Sequence, residues 1–219
     1  MNPQELAGRP VQEQRAAGRR LSQADLGEWA VAPVPEARSA VGYAMANVLP
    51  DGDPAPWDLV HRLVNDDDWT VREAATFGVR DALIAAYPVV VPGVRAWAGS
   101  TANDREHRAF LVVARQPSRQ RPDAVAELTR MLRVPLSDPA PYVRKNVPFC
   151  LRYLARTHGR LLAGHLRAWA AEPDEWLQRA CFGGLTDALA EAAPEAYPGI
   201  VATLRASEFR WVRAKAATV

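Results

Sequence analysis

Apolar and polar positions along this chain recur with the period of helices. Val143, Val147, Cys150, Leu151 and Leu154 follow one another at steps of three and four, which places them on one side of a helix. Polar turns interrupt such runs at intervals: NDDD (65–68), STANDRE (100–106), SDPAP (137–141) and EPDE (172–175). Pro139, Pro141 and Pro173 suit helix starts or the turns before them. The valine run at 89–91 follows Tyr87 and Pro88 and reads as the opening of a helix. No segment alternates convincingly as a strand would.

The pattern also repeats. Residues 72–98 (REAATFGVRDALIAAYPVVVPGVRAWA) align without a gap with residues 144–170 (RKNVPFCLRYLARTHGRLLAGHLRAWA) at an offset of 72. Arg72 meets Arg144, Phe77 meets Phe149, Arg80 meets Arg152, Arg95 meets Arg167 and Trp97 meets Trp169. Half that offset shows as well. Arg38, Arg72, Arg108, Arg144, Arg179 and Arg213 stand 34, 36, 36, 35 and 34 residues apart. Each unit reads as two helices, the second opening near a motif such as DWTVREA, YVRKN, EWLQRA or RWVRAKA. A helix-pair repeat of about 34–47 residues is the signature of an α-solenoid, because one pair cannot bury its own apolar face. The fold class expected is therefore all-α, with about six HEAT-like repeats stacked into a curved superhelix. Residues 26–219 are expected to form a single repeat domain, preceded at 1–25 by a polar tail or capping helix. PSRQRP (117–122) reads as a basic turn between units.

Composition narrows the class. The chain has 219 residues, 48% hydrophobic and 24% charged, which is globular. No run nears the roughly 18 apolar residues of a spanning helix, so no membrane partner is expected. The first twenty residues carry no apolar signal-peptide core. The two cysteines cannot make a disulfide framework, so a reduced, cytoplasmic protein is expected. The net charge of +2 hides an asymmetry: from 105 to 167, 13 basic residues face only Glu106, Asp123, Glu127 and Asp138, giving +9 there and −7 elsewhere. Such a segment is either a solvated face or a polyanion-binding groove.

Most catalytic signatures are missing: no phosphate loop ending in GK[ST], no HExxH, no GxSxG. His61, His107, His158 and His165 do not cluster with the cysteines at metal-ligand spacing, and neither metal nor cofactor is expected. Cys150 and Cys181 lie in apolar stretches and read as core. The recurring arginines suit a structural role, with Asp68 before Arg72 and Asp174 before Arg179 as acidic turn partners. An arginine one turn further along a second helix would instead reach a bound phosphate. Trp69 and Glu73 stand four apart and share a helix face. An aromatic ring attracts a cation and a carboxylate neutralises it, so the pair suits a cationic ligand. The alternative is that Trp69 packs between repeats and Glu73 merely faces solvent.

These segments resemble the HEAT-like DNA alkylation repair glycosylases, the AlkD and AlkC groups, over roughly residues 40–219. YVRKNVPFCLRYLARTHG (142–159) is similar to that family's unit of an aromatic residue, [VI], [RQ], [KR] and a following LR. DDWTVREAATFGVRDALIAAYP (67–88) resembles the unit with the family's Trp-x-x-x-Asp pair, and RAWAGSTANDREHRAFLVV (95–113) the next unit, with a DNA-contacting Arg. The resemblance implies that Trp69 faces the lesion, that Glu73 stands at the catalytic Asp position, and that Arg108 contacts DNA. Phe149 stands in place of a second Trp, and Arg144, Lys145 and Arg152 are implied to hold phosphates. Val113 and Tyr153 occupy positions where the AlkC group has acidic residues, so the likeness is to AlkD. The implied activity is excision of cationic N3- or N7-alkylated purines, some of them bulky, from double-stranded DNA by a monomer. The other function class compatible with these repeats is a non-catalytic scaffold that binds a protein or nucleic acid.

Overall fold

The computed structural model describes residues 2–99, 103–115 and 120–219, and all regular structure there is helical. Parts of the turns expected at 100–106 and 117–122 lie outside the described residues. After a 3-10 turn at Pro3–Leu6 the helices are α1 (Val11–Gly18), α2 (Gln23–Trp29), α3 (Pro35–Val48), α4 (Pro56–Val64), α5 (Trp69–Ala85), α6 (Tyr87–Gly99) and α7 (Asp104–Arg115). Then come α8 (Pro122–Met131), α9 (Arg133–Leu136), α10 (Pro141–Arg144), α11 (Val147–Ala170), α12 (Glu175–Cys181), α13 (Asp187–Ala192), α14 (Tyr197–Arg205) and α15 (Arg210–Ala216). The helix expected from the valines at 89–91 is α6. The chain divides into two compact units, Met1–Trp97 and Ala98–Val219.

In the first unit α3 and α5 run against each other through small residues. A Cβ on Gly78 would lie 1.9 Å from the carbonyl oxygen of Gly42, and one on Gly42 would lie 2.6 Å from the backbone nitrogen of Ala75. Ala40, Ala44, Ala74 and Ala75 are buried beside them. Leu6, Leu26 and Trp29 of the N-terminal segment are buried too, so residues 3–29 contribute to this core. Trp97 is fully buried and meets Trp57 edge-on at 5.9 Å.

In the second unit α7 supplies an unbroken buried run from Ala109 to Ala114. Residues 145 and 146 interrupt the helical hydrogen bonding but keep right-handed helical angles. Pro148, which has no N–H to offer the carbonyl of Arg144, accounts for the break. Residues 141–157 thus act as one second helix. At His158 the backbone leaves the helix (φ −144°, ψ 44°) and resumes at once, so this second helix and the first helix of the next pair are fused within α11.

The second helices open at 35, 69, 104, 141, 175 and 210. The fourth residue of each is Arg38, Arg72, His107, Arg144, Gln178 and Arg213, and within each unit this position forms a ladder. Arg38, Arg72, Gln178 and Arg213 each donate to the carbonyl six residues back, at 2.6–2.8 Å, and Arg144 donates to Leu136 at 2.8 Å. Several also reach the next turn. Arg38 makes two bonds to the Asp66 carboxylate at 2.7 and 3.0 Å, His107 Nδ1 lies 2.6 Å from Asp138, and Gln178 accepts from Ser207 at 2.5 Å. The regular arginine series read from the sequence is therefore displaced by one residue in two repeats. His107 and Gln178 hold the ladder there, and Arg108 and Arg179 stand one residue beyond it. The acidic turn residues also act differently from the expected pairing: Asp68 caps α5 and Asp174 caps α12.

Candidate functional site

The expected site residues fall in both units. In the first, the Asp68 carboxylate accepts from the Thr70 N–H at 2.8 Å and from the Thr70 hydroxyl at 2.6 Å. The Thr70 hydroxyl bond holds the Asp68 carboxyl below the usual carboxylate range. This cap fixes Trp69 as the first helical residue, where its side chain is 65% exposed. Val71, Ala74 and Ala75 face the core, while Glu73, one turn beyond Trp69, is half-buried. The reading in which Trp69 packs between repeats is not realised. One turn further the Arg80 guanidinium lies 4.8 Å over the Phe77 ring and is held by Asp81 at 2.6 Å.

In the second unit, guanidinium groups alternate with aromatic rings at the starts of the second helices. Arg108 lies 5.7 Å over Tyr142, Arg144 lies 5.4 Å over Trp176, and Arg179 lies 4.5 Å from both Trp176 and Trp211. Arg179 also pairs with Glu175 at 2.7 Å. Burial, reinforced by the positive Arg179, lowers the pKa of Arg144. Two of the expected phosphate contacts, Arg108 and Arg144, are thus engaged by the fold's own aromatic rings. Arg179, Trp176 and Trp211 belong to the same array and were not among the expected site residues. The motif EWLQRA contained the signal, since it places a ring and a guanidinium on one turn.

Lys145, Phe149 and Arg152 stand together on the exposed side of the helix at 141–157. Arg156, one turn beyond Arg152, joins them and went unnoticed in the sequence, although the spacing of four, three and four marks one helix face. Phe149 is 59% exposed. Residues 139–171 contain no Asp or Glu, so this face meets no carboxylate from its own segment.

The remaining polar groups offer little chemistry. An open cleft of about 610 Å³ beside the His158 kink is lined by Arg156, His158, Arg160 and Glu191 among others. Burial lowers the pKa of His158 and of His165. Burial pushes the Cys150 and Cys181 thiols up to about 12, which leaves them unreactive core groups as their apolar surroundings suggest. Among the described residues no three His, Cys, Asp or Glu side chains stand together as metal ligands, and no helix is long and apolar enough to cross a membrane. No known protein family, no characterised protein and no solved structure matches the chain.

Proposed function

We propose that this chain is a DNA glycosylase that excises cationic N3- or N7-alkylated purines from duplex DNA, working as a cytoplasmic monomer. The observation that carries the reading is the exposed Trp69 at the capped start of α5, with Glu73 one turn behind it. A tryptophan left 65% exposed gives up most of the burial that its indole offers the core, so its face is available to a ligand. An indole beside a carboxylate attracts a cation, and an alkylated purine carries positive charge.

The chemistry follows from that charge. The alkylated base is already a good leaving group, and breaking its glycosidic bond develops oxocarbenium character on the sugar. The Glu73 side chain stabilises that charge and orients the water that attacks the sugar. Trp69 lies against the sugar and backbone at the lesion. Lys145 and Arg152 hold phosphates and give affinity without reading sequence. Release of free base from methylated duplex DNA, followed by chromatography, tests the proposal. Glu73→Gln should reduce excision by roughly a thousandfold, the upper range for removal of one electrostatic stabiliser. Its DNA affinity should stay near wild type. Excision that survives in this variant removes Glu73 from the mechanism.

A second reading, a non-catalytic scaffold, draws support from the arginine–aromatic array. Arg108, Arg144 and Arg179 spend their charge on Tyr142, Trp176 and Trp211, as in a surface built for rigidity. It requires that the wild-type chain release no base from any alkylated duplex.

A further inference from the structure

We infer that the helix face carrying Lys145, Phe149, Arg152 and Arg156 holds a single strand of DNA, with Phe149 stacked on an unpaired base. The inference rests on the reading of DNA as the partner and is independent of excision at Glu73.

The ring supplies the first argument. At the eighth or ninth position counted from the start of a second helix an aromatic recurs as Tyr43, Phe77, Phe149 and Phe182, the last just past the end of α12. Three of these are covered. Arg15 lies 4.9 Å over Tyr43, Arg80 lies 4.8 Å over Phe77, and Trp211 meets Phe182 edge-on at 5.8 Å. Phe149 is 59% exposed, and among the described residues no ring or guanidinium lies over it. The neighbouring residues differ as well. Arg80 is drawn to its neighbour Asp81, whereas the neighbour of Arg152 is Tyr153. The Phe149 ring therefore keeps a face open to a flat partner.

The cations supply the second. Lys145, Arg152 and Arg156 flank Phe149 at four residues before, three after and seven after. At 1.5 Å per residue they span about 16 Å, the length over which a stacked strand, rising roughly 3.4 Å per phosphate along its axis, presents several phosphates. Among the described residues none of these three side chains forms an ion pair or hydrogen bond; residues 139–171 contain no carboxylate, and Glu191 is the acidic residue of the cleft that Arg156 also lines. A paired duplex hides its base faces inside its own stack, so only an unpaired base can use the ring. An acidic peptide would satisfy the cations but has no planar group for Phe149. Aromatic residues interleaved with basic ones are how proteins grip single strands.

Fluorescence anisotropy of the full chain with three labelled DNAs of one sequence tests this: a single strand, a duplex with an unpaired bulge, and a fully paired duplex. Phe149→Ala should weaken the single strand and the bulged duplex by about tenfold, within the range for loss of one stacked base. Binding to the paired duplex should barely change, and Phe149→Trp should keep the preference for unpaired DNA. Arg152→Gln and Arg156→Gln should each reduce the salt slope for the single strand by about 0.7. Phe149 is at the surface, and far-UV circular dichroism will establish that its variants are folded. The inference falls if Phe149→Ala affects all three DNAs alike or none of them. It also falls if RNA of the same sequence or polyglutamate binds more tightly than the DNA strand. Paired duplex bound without preference leaves DNA as the partner and removes only the stacking; failure to bind any DNA removes both.

Discussion

Set side by side at their offset of 72 residues, α5 and the helix at 141–157 carry Arg72 and Arg144, Phe77 and Phe149, and Arg80 and Arg152 at matching positions. The residues between these pairs separate the two surfaces. Glu73 in one stands where Lys145 stands in the other, Asp81 where Tyr153 stands, and Gly78 where Cys150 stands. The first exchange puts an ammonium where the other helix has a carboxylate and so reverses the charge. The second removes the carboxylate that pairs with the arginine lying over Phe77. The third sets how closely the neighbouring second helix approaches, since Gly78 lies against the backbone of Gly42 while Cys150 fills its space with a buried thiol. One helical frame thus carries two faces of opposite charge through three positions that do not disturb its ladder residue.

The strongest way to break the comparison is at Glu73, where Gln should reduce base release by roughly a thousandfold while binding persists. Next in size is Gly78→Ala. The new Cβ would meet the Gly42 carbonyl, which is backbone and cannot swing aside, so thermal unfolding should show a loss of about 3 kcal/mol, as for severe overpacking. The ladder should be less sensitive. Gln178→Leu removes the donor to the Glu172 carbonyl, which keeps only the Asp174 N–H, and the acceptor of the Ser207 hydroxyl, and should cost about 2 kcal/mol in denaturant melts. Arg179→Met, one residue away, loses its ring contacts and its partly exposed pair with Glu175 and should cost about 1 kcal/mol. Equal losses from these two variants would put the ladder position in doubt. The smallest effect should come from Tyr153→Asp, which gives Arg152 the neighbour that Arg80 has. The new carboxylate should draw Arg152 over Phe149 and weaken single-strand DNA by about threefold, near the value of one exposed cation–π contact. Unchanged affinity would mean that the neighbour does not control the ring.

Much of this was legible in the chain. The steps of three and four from Val143 to Leu154, the polar turns and the offset of 72 lead to helix pairs because burial period and chain length are local properties. The ladder was only partly legible. Counting arginines finds Arg108 and Arg179, but the ladder is defined by distance from the helix start, and His107 and Gln178 fill it with other donors. Identity was a poorer guide there than geometry. The exposure of Trp69 could be posed as a choice and not decided, since it depends on which side of α5 meets α3. The rings over Arg108, Arg144 and Arg179 were invisible for the same reason: Arg108 and Tyr142 are 34 residues apart, and only the stacking of one pair on the next brings them together.

The kink at His158 bears on how such a chain can be cut or extended. Repeat arrays commonly accept nicks and inserted segments where one helix pair ends and the next begins, because the exposed loop there can be pulled straight without disturbing a core. At this junction a single residue leaves helical geometry before α11 resumes. No loop there is available to be drawn out into the extended strand that a protease grips, and a guest sequence would have to unwind helix on both sides. The boundary between these two pairs is a place of symmetry without being a place of separation, and the number of pairs cannot change there by trading loops.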